Sequence, residues 1–309
     1  MQLRHLRYFV KIVEAGSFSR AAATIHVAQP ALSQQIAELE EELGVPVLQR
    51  HARGISPTPA GEVLYREAVV ILRRIEQLPG IVRSTGGEPD GVVALGMSST
   101  LAATVGGPFI QTCRERLPKV MVKFHISDSE TLKREISTHA LDLALLFEDQ
   151  FAAGYSRAPL FRQRLYYIGD KRISRSTGTI SMEKLAKLPL VLPTAPNILR
   201  SVLDREFAGI GVSPNIVSEG DQLSSIMSLV RQGLGGTVLP RGFEHGEGAA
   251  DLGVPSLIEP PLFLTASVMW SSDTALSRAA EAVRLALADY VIALTREHVY
   301  PGLELLGQS

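Results

Sequence analysis

Apolar residues near the start of the chain recur every three or four positions, and this spacing predicts a helix that ends at Gly16. The apolar stripe of this helix consists of Leu3, Leu6, Phe9, Val10 and Val13. Ser17 is a good N-cap for a second, short helix. Pro30 favours the first turn of a third helix, and Gly44 ends that helix after about Leu43. The pattern therefore predicts three short helices with a tight connection between the second and the third.

This order of helices is typical of a helix-turn-helix unit, whose third helix lies in the DNA major groove with its N-terminal residues against base edges. Glutamine pairs with adenine through two hydrogen bonds, and serine pairs with several bases. Residues 47–56 predict a small β-hairpin, a wing that carries arginines to the DNA backbone or the minor groove. The candidate DNA-binding residues are Ser17, Arg20, Gln29, Pro30, Ser33, Gln34, Arg50 and Arg53. The alternative is a three-helix packing unit whose polar side chains are only solvated.

A longer helix is predicted after the hairpin, because Thr58 can cap a helix that Pro59 begins. Its apolar positions, spaced 4, 3, 4, 3 and 4 residues apart, are Leu64, Ala68, Ile71, Ile75, Leu78 and Val82. This a/d heptad seam pairs helices, so its first five members are the candidate dimerisation residues. The alternative is one amphipathic helix packed on its own core. Pro79 predicts that the helix ends or kinks near Leu78, and the composition of residues 84–91 predicts a hinge.

From residue 92 onward, short β-branched or apolar runs alternate with helical patterns. The predicted strands are 92–96, 121–126, 141–147, 190–192, 216–219, 236–239 and 265–270. The predicted helices run to about 116, through 136, and over 198–207, 223–232 and 276–294. Ser127 and Glu130 form a predicted capping box before the helix through Ile136. Alternation of this kind predicts α/β architecture with mostly parallel strands.

Charge is balanced over the 309 residues, with 31 Lys and Arg against 32 Asp and Glu and a net charge of −1. The sum alone argues against a nucleic-acid binder, because such domains are usually basic. The distribution changes that picture. The acidic residues within positions 1–60 are Glu14, Glu38, Glu40, Glu41 and Glu42, and four of them lie late in the third helix or just after it. A small basic footprint on the other elements, duplicated by dimerisation, is therefore compatible with DNA binding.

The remaining composition excludes several classes of protein. A single cysteine, Cys113, excludes a disulfide framework and a multi-cysteine metal site, and we predict that it packs in a core. The start of the chain does not read as a signal peptide, and no apolar run reaches the length of a membrane span. We therefore expect a cytoplasmic protein. We find no GxSxG or HExxH motif, and we predict no enzyme activity, no cofactor and no metal.

The residues themselves resemble those of the LysR-type transcriptional regulators over about the first 65 positions. The resemblance rests on Leu6, 18–22, 28–36, 39–40, 43–44, Leu48, Arg50 and 58–61. Residues 229–240 also match the second-subdomain motif of this family. Residues 6–14 and 28–35 look most like the subgroup that includes the nitrogen assimilation control proteins.

This resemblance implies an all-α winged helix-turn-helix domain at 1–58, and a linker and dimerisation helix with its hinge at 59–90. It further implies an effector domain at 91–309, made of two Rossmann-like subdomains as in periplasmic binding proteins. Subdomain I would span about 91–162 and 266–300, and subdomain II about 163–265, with crossovers near Arg162 and Thr265. The implied partners are promoter DNA, further copies of the chain up to a homotetramer, and RNA polymerase for an activator.

A ligand would lie between the subdomains, outside the carboxyl ends of the strands. Hydroxyl groups together with helix N–H groups suit a carboxylate or another small anion. The candidate effector residues are Ser98, Ser99, Thr100, Ser127, Asp128, Phe147 and Thr194. Two alternatives stay open. In the first, these hydroxyl groups only cap helices, and the protein is a regulator controlled by its own abundance. In the second, the protein is a solute-binding protein. The N-terminal helix-turn-helix and the missing signal peptide argue against the second alternative.

Overall fold

The computed structural model of the chain describes residues 1–51, 54–83, 87–148, 154–169, 178–241, 252–296 and 301–306. These residues form two compact units. The first unit comprises Met1–Gly87 with Thr138–Ala140, and the second comprises Glu88–Ser137 with Leu141–Ser309.

Four helices and one hairpin build the first unit. They are α1 Leu3–Ala15, α2 Phe18–Thr24, α3 Gln29–Leu43, β1 Leu48–His51, β2 Gly54–Pro57 and α4 Pro59–Arg83. The predicted local signals operate as expected: Gly16 ends α1 with φ +60°, and Ser17 Oγ accepts a hydrogen bond from the Arg20 N–H. Apolar faces of α1, α2, α3 and α4 meet in one core, whose buried members include Phe9, Ile12 and Leu32. The three predicted helices and the wing are confirmed.

The linker helix α4 does not end near Leu78, one of its two predicted outcomes, but continues through Pro79 to Arg83. A kink at Pro79, the other outcome, stays a prediction. A proline inside a helix removes one backbone hydrogen bond, and the turns on either side can keep theirs. Leu78 and Val82 are 51% and 72% exposed, so within one chain their side chains are left largely in solvent.

The second unit contains the remaining elements. They are β3 Gly91–Ser98, α5 Ser99–Leu101, a π-helical segment Ala102–Gly106, α6 Gly107–Arg116, β4 Val120–Ser127, α7 Ser129–Ser137, β5 Leu143–Glu148, β6 Tyr155–Ile168, β7 Thr179–Ser181, α8 Met182–Lys187, β8 Leu190–Pro193, α9 Ile198–Gly209, β9 Ile216–Gly220, α10 Leu223–Arg231, β10 Thr237–Pro240, β11 Ser256–Glu259, β12 Phe263–Ser271, α11 Arg278–Arg296 and β13 Leu303–Leu305.

The main sheet of this unit has the strand order β4-β3-β5-β12-β6-β11-β7, and β10 and β13 also pair with β6. β3 runs parallel to β4 and β5, and β8 runs parallel to β9. β12 is antiparallel to β5 and β6, and β6 is antiparallel to β10, β11 and β13. β7 runs parallel to β11, so the described strands form a mixed sheet without the expected parallel majority. The reason is the long strand β6, which the sequence pattern did not show and which is antiparallel to the four strands with which it pairs.

Two local predictions in this unit also need correction. The helix expected up to residue 116 is interrupted by the π-helical segment, because Pro108 has no N–H to continue the α-helical ladder. Glycine suits position 106 of this segment, since a Cβ there would lie 2.9 Å from the Phe124 ring. The cap of α7 comes from Asp128, whose Oδ1 accepts the Thr131 N–H at 2.9 Å. Ser127 does not supply it, because it is still part of β4.

Cys113 lies in the core of the second unit, as predicted, and is 1% exposed. Burial raises the pKa of its thiol to about 11, and the opposing charge of Arg116 is the weaker influence. Because the thiolate is the reactive form, we expect alkylation or disulfide exchange at pH 8 to be about a hundredfold slower than for an ordinary thiol. A timed thiol assay with and without denaturant measures this. Rapid stoichiometric labelling of the native protein would contradict the packed-core assignment.

Candidate nucleic-acid interface and regulatory cavity

The third helix presents a polar surface at its N-terminal end. Leu32, Ile36 and Leu39 are buried in the core of the first unit and hold one face of α3 against it. Gln29, Pro30 and Gln34 are exposed, and Ser33 is half-buried. The four candidate base-reading residues therefore lie at the accessible end of a helix whose other face is fixed by packing.

Gln34 and Gln35 are both bonded to the same carboxylate. Gln34 Nε2 donates to Glu38 Oε1 at 3.1 Å, and Gln35 Nε2 donates to Glu38 Oε2 at 2.8 Å. These contacts orient the Gln34 amide with its nitrogen towards the C-terminal part of α3. A base pairing of Gln34 that needs this N–H or rotates the amide therefore competes with Glu38.

Ser17 and Arg20 have intramolecular partners at the turn between α1 and α2. Arg20 Nε and Nη2 donate to the carbonyl oxygen of Ala15 at 2.9 and 2.6 Å, close to the C-terminal end of α1. Both candidate DNA-binding residues thus stabilise the turn. An arginine carries five N–H donors, so this contact does not exhaust the guanidinium of Arg20.

The wing is attached to the helices at defined points. The Ile55 N–H donates to the carbonyl oxygen of Gly16 at 3.0 Å, and a Cβ at Gly54 would lie 2.7 Å from the same oxygen. The Arg50 guanidinium lies 5.6 Å from the centre of the Phe18 ring, a cation–π distance. Arg50 is exposed on β1, whereas Arg53 lies outside the described residues.

Glu40 has a structural role that sequence reasoning missed. Its Oε1 accepts the N–H groups of Val47 and Leu48 at 2.8 and 3.1 Å. The carboxylate therefore connects the end of α3 to the start of the wing. No sequence signal separated Glu40 from the adjacent acidic residues, because the contact depends on how the chain turns after Gly44.

The candidate dimerisation residues of α4 differ in exposure. Ala68 is fully buried in the core of the first unit, and Leu64 packs against that core. Ile71 is 39% exposed, and Ile75 is half-buried. The N-terminal part of the seam thus packs against the core of its own chain, while Ile71 and Leu78 expose apolar surface.

A cavity lies in the second unit beside the crossover strand β6. Of the seven candidate effector residues, Thr100 and Phe147 line it. The further lining residues that matter below are Gln163, Arg241, Leu303 and Thr104. Arg241 supplies the positive charge among the lining residues and lies 5.8 Å from the centre of the Tyr166 ring. The enclosed space is about 10 Å³, room for about one water molecule, so a ligand can enter only when the walls move. The apolar walls with a cation and an amide suit a small anion with an apolar body.

The other candidate effector residues are not brought into this cavity. Ser98 is buried, and its hydroxyl has no hydrogen-bond partner among the described residues. Ser99 is half-buried at the start of α5, and the Thr194 N–H donates to the carbonyl oxygen of Gly220 at 3.2 Å. Ser127 Oγ donates to Asp128 Oδ2 at 3.5 Å. Burial opposes the ionisation of Asp128, but hydrogen bonds from Thr131 and from backbone N–H groups outweigh it and lower the pKa of this carboxyl.

Sequence reasoning missed four residues that line the cavity, for different reasons: Gln163, Arg241, Thr104 and Leu303. Arg241 directly follows the second-subdomain motif that ends at Pro240, so the motif could have pointed to it. Gln163 lies between two arginines in β6, and this run of polar residues hid a strand. Leu303 lies beyond the last predicted helix, where no sequence signal indicated a strand.

Within the part of the chain that the structure describes, no group of His, Cys, Asp and Glu residues could hold a metal ion. No helix of that part is both long and apolar enough to cross a membrane.

Two protein-family models match the chain. Residues 3–62 match the model described as bacterial regulatory helix-turn-helix protein, lysR family. Residues 86–291 match the model described as LysR substrate binding domain.

Curated relatives cover nearly the whole length. The nitrogen assimilation regulatory protein nac of Klebsiella aerogenes is 35% identical over 293 residues, covering 94% of this chain and 95% of the relative. The protein of the same name from Escherichia coli (strain K12) is 32% identical over 286 residues, covering 92% and 93%.

Solved structures with a similar fold include full-length CbnR complexed with its target DNA. The TM-score is 0.71 at 19% identity, and the match covers 96% of this chain and 99% of that one. A full-length OxyR variant from Pseudomonas aeruginosa has a TM-score of 0.70 at 21% identity, with coverage of 100% and 99%. At these identities the likeness establishes the fold.

Proposed function

Because the chain belongs to the LysR family of transcriptional regulators, we propose that the N-terminal end of α3 reads operator DNA while the second unit senses a small ligand. The expected fold class is confirmed, and the chain is a regulator that binds promoter DNA and oligomerises, not an enzyme. The observation that carries the proposal is the exposed polar end of α3 above a packed apolar face.

The proposed DNA contacts divide into two groups. Gln29, Pro30, Ser33 and Gln34 lie where a recognition helix meets base edges. Ser17, Arg20, Arg50 and Arg53 contact the sugar–phosphate backbone or the minor groove, which fixes the position of α3 without reading sequence. Two recognition helices of a dimer then read half-sites of an interrupted palindrome.

Arg50 gives the direct test of this interface. Replacing Arg50 with alanine should weaken binding to all duplexes and reduce the slope of log K against log salt by about 0.9, the value for one lost phosphate contact. The measurement is titration of the full chain with promoter fragments that it retains from genomic DNA, at several salt concentrations. Arg114→Ala, an exposed arginine on α6, is the matched control and should leave the slope unchanged.

Two outcomes would contradict the proposal. If the unaltered chain retains no promoter fragment, the proposal that α3 reads operator DNA is wrong. If Arg50→Ala retains promoter DNA with an unchanged salt slope, Arg50 does not contact the DNA backbone. The proposed role of the recognition helix would still hold.

For assembly, we propose a dimer through the accessible part of the α4 seam, with Leu64, Ala68, Ile71, Ile75 and Leu78 on or beside the contact, and a homotetramer as a pair of dimers. We keep the domain bounds 1–58, 59–90 and 91–309, with the subdomain crossovers near Arg162 and Thr265. Arg162 of β6 and Thr265 of β12 are paired with each other across the two strands. This pairing supports placing the two crossovers side by side in the sheet. We also propose a cytoplasmic location and, for an activator, contact with RNA polymerase.

For ligand sensing, we propose that a small carboxylate or similar anion occupies the space between the subdomains. The cavity next to Thr100 and Phe147, with Arg241 at its wall, supports this site. Ser98, Ser99, Ser127, Asp128 and Thr194 stay proposed contacts at the neighbouring strand ends. The effector shifts the population of subdomain arrangements only if it binds one of them more tightly than the other.

A further inference from the structure

The last described segment of the chain forms a strand on the edge of β6. Phe161–Gln163 of β6 pair with β12 on one edge and with β13 on the other. Farther along β6, Leu165–Ile168 pair with β10. β13 therefore continues the line that β10 begins, and it covers the crossover strand at the level of Arg162, where both crossovers are proposed.

Backbone, amide and ionic contacts attach this segment. The Arg164 N–H donates to the carbonyl oxygen of Gly302 at 2.8 Å, and the Leu306 N–H donates to that of Leu160 at 3.1 Å. Gln163 is 4% exposed, and its Nε2 donates to the carbonyl oxygen of Pro301 at 3.1 Å. Arg162 pairs with Glu304 at 2.6 Å. A buried amide directed at the chain end indicates a built docking position.

Gly302 fits this position in a way that other residues cannot. Its φ is +80°, and a Cβ there would lie 2.5 Å from Tyr166 Oη and 3.0 Å from Arg164 Cβ. A side chain at 302 is strained at this φ and meets Tyr166 and Arg164, so we expect it to weaken the contact of the segment with β6.

Leu303 is the residue of this segment that lines the cavity. It packs against the core of the second unit and lines the cavity together with Thr100 and Phe147. The chain end thus forms one wall of the proposed ligand site, and that wall is held by a strand of three residues. A strand of three residues with one paired neighbour opens at a lower free energy than the longer strands of the core.

We propose that residues 301–306 are a strap, which closes the cavity and braces β6 at the crossover, and whose release admits the ligand. The proposal rests on the ligand-sensing function assigned to the cavity above. A ligand that binds the released form more tightly than the strapped form shifts the population towards release. The strap thereby couples occupancy of the cavity to the geometry of β6.

Residue-resolved hydrogen–deuterium exchange on the full chain tests the strap. In Gly302→Val, exchange of the Arg164 N–H should accelerate about tenfold, because its acceptor on the strap is displaced. The Leu165 N–H, which donates to the carbonyl oxygen of Leu262 on the opposite edge of β6, should be unchanged. Gly211→Val is the matched control, because Gly211 has φ +69° and open space around its Cβ.

The dye 8-anilinonaphthalene-1-sulfonate, an anion with an apolar body, reports access to the cavity. Its fluorescence with Gly302→Val should exceed that with the unaltered chain or Gly211→Val by several-fold. Adding Arg241→Gln, which removes the positive charge among the lining residues, should remove the increase. Leu303→Asp is a second route to release and should reproduce both effects.

Equal protection of Arg164 in the unaltered chain and in both release variants would overturn the strap. Accelerated exchange with unchanged dye fluorescence would overturn its role in closing the cavity. Failure of the chain to retain promoter DNA would instead count against the proposed function, because the exchange measurement does not depend on DNA.

Discussion

Gly61→Ala should lower the free energy of unfolding of the N-terminal unit by about 1–3 kcal/mol or more and abolish retention of promoter DNA. The added Cβ would collide with the carbonyl oxygen of Val47 and lie 2.9 Å from its carbonyl carbon and 3.1 Å from Pro57 Cβ. Backbone atoms cannot rotate away as a side chain can. Relief requires a shift of β1 or of the first turn of α4.

Thr58 makes such a shift costly. Its N–H donates to the carbonyl oxygen of Val47 at 3.1 Å, and its hydroxyl accepts the Gly61 N–H at 3.0 Å and donates to the carbonyl oxygen of Pro46 at 2.8 Å. Moving either side breaks part of this junction. The wing would then lose its fixed position beside α3, which is why DNA retention should fail together with stability.

Urea unfolding followed by far-ultraviolet circular dichroism measures the loss, and the fluorescence of Trp270, the one tryptophan of the chain, follows the second unit separately. Gly209→Ala is the matched control, since a Cβ at the end of α9 meets nothing within 4 Å. In a helix with open space, this substitution should stabilise by up to about 1 kcal/mol. Unfolding of Gly61→Ala at the urea concentration of the unaltered chain would show that the junction adapts.

Gln29→Ala should relax discrimination at one base pair of the operator by about 1–3 kcal/mol, the value of a good bidentate contact. Gln29 is exposed at the start of α3, where recognition helices meet base edges. The amide of Gln34 is already bonded to Glu38, so part of its pairing energy is spent on releasing that contact. We therefore expect the larger change for Gln29.

Selection of bound sequences from randomised duplexes, followed by titration of single-base variants, measures this discrimination. Gln111→Ala, an exposed glutamine on α6, is the control for a glutamine lost elsewhere. If Gln29→Ala keeps the full base preference of the unaltered chain, Gln29 does not read a base. Uniformly weaker binding without relaxed preference would instead assign it to the backbone.

The N-terminal elements could be predicted because their signals are local. Gly16, Ser17 and Thr58 act within one turn of the helices they bound, and the apolar stripes report burial directly. Pro79 shows the limit of such signals, because continuation of α4 is decided by the turns on both sides of it.

The regulatory cavity was only partly predictable, because pairing between distant strands builds it. Thr100 closely follows β3 and Phe147 lies near the end of β5, and both strands have clear apolar patterns. Gln163 and Leu303 meet only because residues about 140 apart pair along β6. Glu40 illustrates the same point on a smaller scale, since it accepts backbone N–H groups whose position depends on the path of the turn after Gly44.

The uninterrupted course of α4 has a mechanical consequence. Its 25 residues give a rod about 37 Å long, at 1.5 Å of rise per residue. Tilting such a rod by about 5° displaces its far end by about 3 Å, close to the axial rise of one base pair. Had Pro79 ended the helix, the lever would be about a fifth shorter. A tilt of a few degrees at one end of α4 therefore becomes a displacement of a few ångströms at the other end.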